Sequence, residues 1–354
     1  MKLDYMLFSA PNIVDKIKWT CNDCGQPTYT DGKTRMPKKC KCGNKKISLS
    51  DPLIMGGLYC WVTAFREAGG LGVMKATMAR EELEKFDIVH VNVTPGHYSY
   101  VPQLREALGK SSSTKLIANV DYATTLWGNT DPFILKKVLE EADMVFHVES
   151  SGARRLSGVM GKEIHCIPHP VDVERLGKLK VQPSHPAVVT CHFHRYWGTW
   201  APYYYATLNL RKEFNLRTML VNVWGDSPIK VSLEAYFDEI VGNTNYMEFM
   251  QKVMAPAFAN IDVTPDITYG RGIVEAAALG IPTIGANGIE AARTIYPELV
   301  VGSEEDNEIE RHLRRLITDT EFAKIMSDQG IERCKFYSTK NSYERMVKAM
   351  EETR

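Results

Sequence analysis

Net charge is the first thing this chain does without: 43 Lys and Arg offset 43 Asp and Glu over 354 residues. No global field therefore draws it to nucleic acid or to an anionic membrane, and only local patches could do so. Long apolar runs are missing as well. The most apolar stretches, such as Ile88-Val89-His90-Val91-Asn92-Val93, fall far short of the roughly 20 residues needed to span a bilayer. The opening residues Met1-Lys2-Leu3-Asp4 lack the apolar centre of a signal peptide. A cytoplasmic protein with reduced thiols is the expectation. Cysteine is sparse outside one place: of eight, four fall within residues 21–42. Cys60, Cys166, Cys191 and Cys334 stand singly in apolar or helical contexts, where a cysteine acts as a small buried hydrophobe.

What is present begins with those four cysteines. Cys21-Asn22-Asp23-Cys24-Gly25 and Cys40-Lys41-Cys42-Gly43 form two close thiolate pairs, each followed by a glycine. Such a turn lets both sulfurs face one point, as tetrahedral zinc requires, so Cys21, Cys24, Cys40 and Cys42 are the expected ligands of a structural zinc ribbon. A disulfide pair is the rival, disfavoured in a reducing compartment, and four thiolates leave no open position for catalytic water. The same segment carries Lys33, Arg35, Lys38, Lys39, Lys41, Lys45 and Lys46 against Asp23 and Asp31. This basic loop either balances the thiolate site in solvent or holds a polyanion such as a nucleic acid.

The length suits two domains of roughly 150 to 180 residues rather than one core. Residues 3 to 10 read as a first strand, interrupted by the cysteine segment. Gly56-Gly57 opens a helix through Leu58-Tyr59-Cys60-Trp61. Phe86–Val91, Lys115–Val120 and Asp143–Val148 follow as buried strands of a parallel sheet, separated by helical patterns, one of them starting at Asp131-Pro132. Open α/β sheets bind ligands beyond the carboxyl ends of their strands, which places His97, Asp121 and Glu149-Ser150-Ser151 at a cleft rim. A second set of strands runs from Ala187–Cys191 and Leu216–Gly225, and residues 246–259 read as one helix. The aromatic cluster Tyr196-Trp197, Trp200 and Tyr203-Tyr204-Tyr205 suits packing or stacking on a ligand. Two or three amphipathic helices end the chain, the last with Ser338-Thr339 at its N-cap.

The most specific stretch is Gly270-Arg271-Gly272-Ile273-Val274-Glu275-Ala276-Ala277-Ala278-Leu279-Gly280-Ile281-Pro282-Thr283-Ile284-Gly285. It reads as a glycine loop, a short helix and a buried strand. Gly270 and Gly272 let the backbone approach a ligand, and the helix N-terminus aims free N–H groups and a positive dipole end at an anion. Glu275, one turn inside, can accept hydrogen bonds from sugar hydroxyls beside a phosphate. Arg271 is a cation able to fork onto a diphosphate.

This stretch resembles the nucleotide-sugar site of the retaining GT-B glycosyltransferases, the group that includes glycogen synthases and many bacterial and archaeal sugar transferases. Glu275 matches the second glutamate of that group's Glu-x7-Glu segment and Gly280-Ile281-Pro282 its trailing Gly-x-Pro. The first glutamate falls on Ile267, with Asp266 the neighbouring carboxylate. Ile167-Pro168-His169-Pro170-Val171-Asp172 resembles the Ile-Pro-Asn-Gly-Val-Asp signature leading out of the first domain, with His169 and Pro170 in place of Asn and Gly. Arg195 stands where the group places a diphosphate-binding arginine, and the partner lysine five residues later is Trp200.

The resemblance implies an α/β fold of two Rossmann-like domains in the GT-B arrangement facing a central cleft, with a zinc-ribbon insertion at about 19–47 in the first. Its boundaries would be an acceptor domain over 1–180, a donor domain over 181–335, and a terminal helix over 336–354 packing back on the first domain. It implies transfer of a sugar, with retention, by a hexosyltransferase that uses a nucleotide-diphosphate sugar as co-substrate; the acceptor is left open, and the basic ribbon makes nucleic acid or another polyanion one candidate. Donor binding would fall to Glu275, Gly270, Arg271, Gly272, Arg195 and Asp266, and acceptor chemistry to Asp121 or His97. Two other readings stand beside it: a nucleotide-sugar epimerase on the same fold, and a decayed scaffold that binds a polyanion through the basic zinc ribbon.

Overall fold

A computed structural model of the chain describes residues 2–8, 17–21, 27–30, 47–49, 56–75, 77–94, 98–121, 131–183, 188–193, 200–222, 236–242 and 246–353. Its strands, numbered along the chain, fall into three sheets. The first is six-stranded and parallel: β1 (Tyr5–Phe8), β5 (Gly72–Lys75), β6 (Ile88–Val93), β7 (Lys115–Val120), β8 (Met144–His147) and β9 (His165–Cys166), in the order β5-β1-β6-β7-β8-β9. All six residues of β6 are buried, as expected of a strand covered on both faces. The second is also six-stranded and parallel: β10 (Val188–Phe193), β11 (Arg217–Asn222), β12 (Glu239–Gly242), β13 (Ala259–Asp262), β14 (Thr283–Ala286) and β15 (Val300–Val301), in the order β12-β11-β10-β13-β14-β15.

Chain order in the second sheet is 3-2-1-4-5-6, the doubly wound order, and it reverses between β10 and β13. In sheets of this order a ligand site lies at the reversal, beyond the carboxyl ends of the strands. The loop after β13 is the one that leads to Gly270. In the first sheet the reversal lies between β1 and β6, next to β7 and Asp121.

Local signals account for several helix boundaries. Asp131 caps helix Pro132–Leu139 by accepting from the Phe133 amide at 2.8 Å, with proline at the first helical position. Ser338 caps helix Thr339–Glu352 through the Asn341 amide at 3.2 Å. The helix predicted over 246–259 is shorter: an α-turn at Tyr246–Phe249 runs into a π-helical stretch at Met250–Met254, and Pro256 disfavours continuation from the residue before it.

The core around the second sheet contains Tyr203, Leu220, Ile261, Ile273, Ile284 and Leu313. Of the aromatic cluster, Tyr203 is wholly buried and donates from its hydroxyl to the Val189 carbonyl at 2.7 Å, so it is a packing residue, while 194–199 lie outside the described residues. On one face of the first sheet, Tyr5, Trp61 and Phe65 from the N-terminal half pack with Met346 and Ala349 of helix Thr339–Glu352. The last helix thereby lies against helix Gly56–Glu67. Further ties join the two halves: Val171 donates to the Tyr337 carbonyl at 2.8 Å, and Thr339 Oγ1 donates to Glu67 at 2.6 Å. Among the described residues, no helix is long and apolar enough to cross a membrane.

The third sheet is antiparallel and small: β3 (Pro27–Thr30), β2 (Ile17–Cys21) and β4 (Ile47–Leu49), in the order β3-β2-β4. Cys21 ends β2 and is the register partner of Ile47, which starts β4, while its neighbour Thr20 pairs with Pro27 at the start of β3. Cys24, Cys40 and Cys42 and the lysine-rich loop lie outside the described residues, and among the described residues no cluster of His, Cys, Asp or Glu is arranged to hold a metal.

Candidate active site

The loop after β13 ends at Gly270, which adopts φ +81° and ψ +51° as N-cap of helix Arg271–Ala278. An L side chain is strained in that left-handed region, and a Cβ there would lie 2.1 Å from Ile289 Cγ2. Glycine is thus required twice over. The helix that follows leaves its first-turn amides without partners four residues back, at the sheet's crevice.

Glu275 sits one turn inside, 6% exposed. Its Oε1 accepts from the Tyr246 hydroxyl at 2.7 Å and forms an ion pair with Arg271 Nη2. The Arg271 guanidinium also lies over the Tyr246 ring, 5.3 Å from its centroid, and its Nε is buried without a hydrogen-bond partner. Burial, reinforced by the Glu275 carboxylate, holds the Tyr246 hydroxyl well above its ordinary pKa, so it remains a donor. Burial alone would lower the Arg271 pKa, but Glu275, Tyr246, Cys60 and Tyr269 turn the net shift upward, so the cation is fixed. Asp266, earlier in the loop, is half-buried, and its backbone carbonyl rather than its carboxylate is held close by the turn at Gly288.

Helix Gly56–Glu67 of the first half reaches this loop. Burial pushes the Cys60 thiol up to about 11, with the Arg271 cation opposing it from the second half. The next residue, Trp61, donates from Nε1 to His169 Nδ1 at 3.0 Å. His169 in turn places Nε2 3.1 Å from Asp121 Oδ1, and its backbone carbonyl accepts from the Tyr269 hydroxyl at 2.9 Å. Tyr269 immediately precedes Gly270. Asp121 and the loop that leads to Gly270 are therefore joined through one residue, His169.

Asp121 stands just past the carboxyl end of β7, its side chain 29% exposed. Behind it a row of buried polar groups crosses three strands. The Tyr5 hydroxyl donates to His90 Nδ1 at 2.5 Å, His90 Nε2 meets Asn119 Oδ1 at 2.6 Å, and Asn119 Nδ2 donates to Asn92 Oδ1 at 2.5 Å. Asn92 Nδ2 then points at Asp121 Oδ2 across 3.5 Å. Burial pushes His90 down to about 3, with the Asn119 hydrogen bond opposing, so the ring is neutral. Since Asn119 Oδ1 can only accept, the ring proton is on Nε2, Nδ1 accepts from Tyr5, and every donor in the row points toward Asp121.

At the same rim, Glu149 caps helix Ser150–Met160 through the Ser151 and Gly152 amides, and Glu290 of the second half accepts from the Ser150 amide at 2.6 Å. Of the residues singled out from sequence, the structure gathers Gly270, Arg271, Gly272 and Glu275 on one helix start and links them to Asp121. Arg195 and His97 lie outside the described residues. Sequence reading did not find Tyr246, Tyr269, Trp61, Cys60 or the row from His90 to Asn92 as site residues. A usable signal was present for the row: His90, Asn92 and Asn119 interrupt runs otherwise made of Ile, Val, Leu and Ala.

No protein-family model matches the sequence, and no curated protein is significantly similar to it. Solved structures are similar in fold. Sucrose-phosphate synthase from Thermosynechococcus elongatus superposes with TM-score 0.64 at 14% identity, covering 99% of this chain and 98% of that one. HepE from Anabaena, solved in complex with UDP and glucose, gives 0.65 at 10% identity over 99% and 100%. A trehalose-6-phosphate synthase from Burkholderia multivorans gives 0.60 at 10% identity over 75% and 72%. These are GT-B glycosyltransferases, and the likeness at such identities is one of fold: two parallel sheets with their helices in the GT-B arrangement.

Proposed function

We propose that the protein is a glycosyltransferase that takes a hexose from a nucleotide-diphosphate sugar, with retention at the anomeric carbon. The observation that carries the reading is the Arg271–Glu275 pair on a glycine-opened helix of the second sheet, with buried Glu275 also held by the Tyr246 hydroxyl. The helix N-terminus and the Arg271 guanidinium suit a diphosphate, whose charge grows as the sugar leaves. Glu275 suits the ribose hydroxyls, for which Tyr246 and Arg271 hold its place. Asp121, on the far side of His169, suits an acceptor hydroxyl, which it would orient or deprotonate. Gly272, Asp266, Arg195 and His97 complete the proposed site. The solved structures support the same direction: HepE was captured with UDP and glucose, and a trehalose-6-phosphate synthase of the same fold is described as transferring with retention.

We infer in addition a structural zinc ion on Cys21, Cys24, Cys40 and Cys42. The pairing of Cys21 with Ile47 supports it, because Cys24 follows the first by three positions and Cys42 precedes the second by five. Metal analysis of the purified chain should give one zinc per molecule, lost in Cys40→Ser.

The test of the main reading is calorimetric titration with UDP, GDP and ADP, repeated on Glu275→Gln and Arg271→Ala. One nucleotide should bind, with each variant weakening it at least tenfold, about 1.4 kcal/mol. Absence of binding by all three would sink the proposal.

A further inference from the structure

We propose that His169 is a positioning residue for the transfer reaction: it sets the orientation of Asp121 and couples that carboxylate to the loop that precedes Gly270. The proposal rests on the glycosyl-transfer reading above and goes beyond it by naming what holds the acceptor side to the donor side.

Four observations converge on this ring. His169 is 4% exposed, so its nitrogens have no bulk water to fall back on. Trp61 can only donate, and its N–H points at Nδ1 at 3.0 Å, which requires that nitrogen to carry a lone pair and leaves the proton on Nε2. Nε2 lies 3.1 Å from Asp121 Oδ1, within hydrogen-bond length, yet the carboxylate oxygen is off the N–H axis and the donor has no well-aligned partner. A buried donor in that state is costly, and a small rotation of the half-exposed Asp121 would align it. Catalytic hydrogen bonds in ligand-free sites are commonly loose in this way and tighten when substrate is in place. Finally, the His169 carbonyl is tied to Tyr269, whose ring lies 6.5 Å from the imidazole in an edge-on contact.

The arrangement is selective about which ring nitrogen faces Asp121. With Nδ1 accepting from the Trp61 N–H, the ring turns its Nε2 proton toward Asp121. Asn92 approaches the other carboxylate oxygen from the sheet side. Asp121 is thereby steered from both flanks by groups that donate and cannot accept from it, and is kept an acceptor for the hydroxyl of an incoming substrate. Any movement of the Gly270 loop on binding a nucleotide passes through Tyr269 to the His169 backbone, and so to the carboxylate.

The experiment uses the full chain and four proteins: wild type, His169→Leu, His169→Gln and Trp61→Phe. Imidazole nitrogen NMR should show wild-type His169 with its proton on Nε2 and Nδ1 as an acceptor; an Nδ1 proton would overturn the proposal. UDP titration and release of UDP from UDP-glucose, with water as acceptor, then separate binding from turnover. We expect His169→Leu to bind UDP within about twofold of wild type while kcat falls about a hundredfold, the size of effect a misplaced group produces. His169→Gln, which keeps an N–H donor, should recover most of that loss, and Trp61→Phe should fall between. Equal losses in the Leu and Gln variants, or an unchanged kcat in a folded Leu variant, would overturn the proposal. Should the Leu variant fail to fold, the Gln and Trp61→Phe comparison and the wild-type spectrum decide the matter. Failure of the wild-type chain to bind any nucleotide is a different outcome, which sinks the transfer reading itself.

Discussion

Both parallel sheets carry a row of buried polar side chains across neighbouring strands, and the two rows end differently. In the second sheet Thr190 Oγ1 donates to Asn260 Oδ1 at 2.9 Å, and Asn260 Nδ2 reaches Thr283 Oγ1 at 3.4 Å. All three residues are fully buried, so that row begins and ends inside the core. In the first sheet the row from Tyr5 through His90, Asn119 and Asn92 leads out to Asp121, whose carboxylate is 29% exposed beyond β7. The first kind of row pins three strands in register. The second does that and also delivers directed donors to a partly exposed carboxylate beyond β7. A closed network of buried polar groups acts on stability alone, whereas an open one couples stability to the chemistry at its end.

The strongest way to break the comparison is to cut each row at its middle. Asn119→Leu strands the His90 Nε2 proton and the Asn92 carbonyl oxygen in the core, at about 1–3 kcal/mol for each unpaired group, and lets Asp121 lose its flanking donor. Asn260→Leu leaves two threonine hydroxyls, and Thr190 Oγ1 already has the Ala259 carbonyl 3.5 Å away. Denaturant unfolding should show the larger loss for Asn119→Leu, and UDP-glucose turnover measured well below the melting temperature should drop only in that variant. Equal turnover losses would erase the distinction.

Acid sharpens it further. His90 takes up a proton near pH 6.5 in the unfolded chain but not until about 3 when folded. Between those values the unfolded state binds more protons, so stability is intact above pH 6.5 and is lost as pH falls through the window, at a limiting slope of about 1.4 kcal/mol per pH unit. The second row has no titrating member and adds nothing to that slope. Thermal unfolding across pH 7 to 4 should flatten in His90→Gln and stay steep in Asn260→Leu.

The smallest effect is expected at the end of the closed row. Thr283→Val removes a hydrogen bond already stretched to 3.4 Å, and should cost about 0.5–1.5 kcal/mol. Its UDP affinity and turnover should match wild type. A turnover defect there would show that the second row also reaches the site.

Much of this architecture could be read along the chain because its causes are local. Period-two and continuous apolar runs mark β6, β7, β8, β10, β11 and β14, since a strand buried on both faces has no place for charge. Asp131-Pro132 and Ser338 mark helix starts because their own side chains and ring supply what a helix N-terminus needs. Gly270 is visible because its left-handed backbone and its lack of room both exclude a side chain. Arg271 and Glu275 follow, four residues apart on the same helix and hence neighbours by geometry alone.

The rest depends on residues that meet only when the chain is folded. Trp61 and His169 are 108 positions apart, Tyr269 and the His169 carbonyl 100, and Ser150 and Glu290 140. No periodicity connects such pairs, because their meeting is decided by strand order and by where the chain crosses between the two sheets. The sequence by itself determined most of the strands, the helix caps and the glycine-opened helix that carries Arg271 and Glu275. Tertiary structure alone decided that a histidine between the two halves should carry its proton toward Asp121, because a buried ring takes its tautomer from whichever donor the fold sets against it.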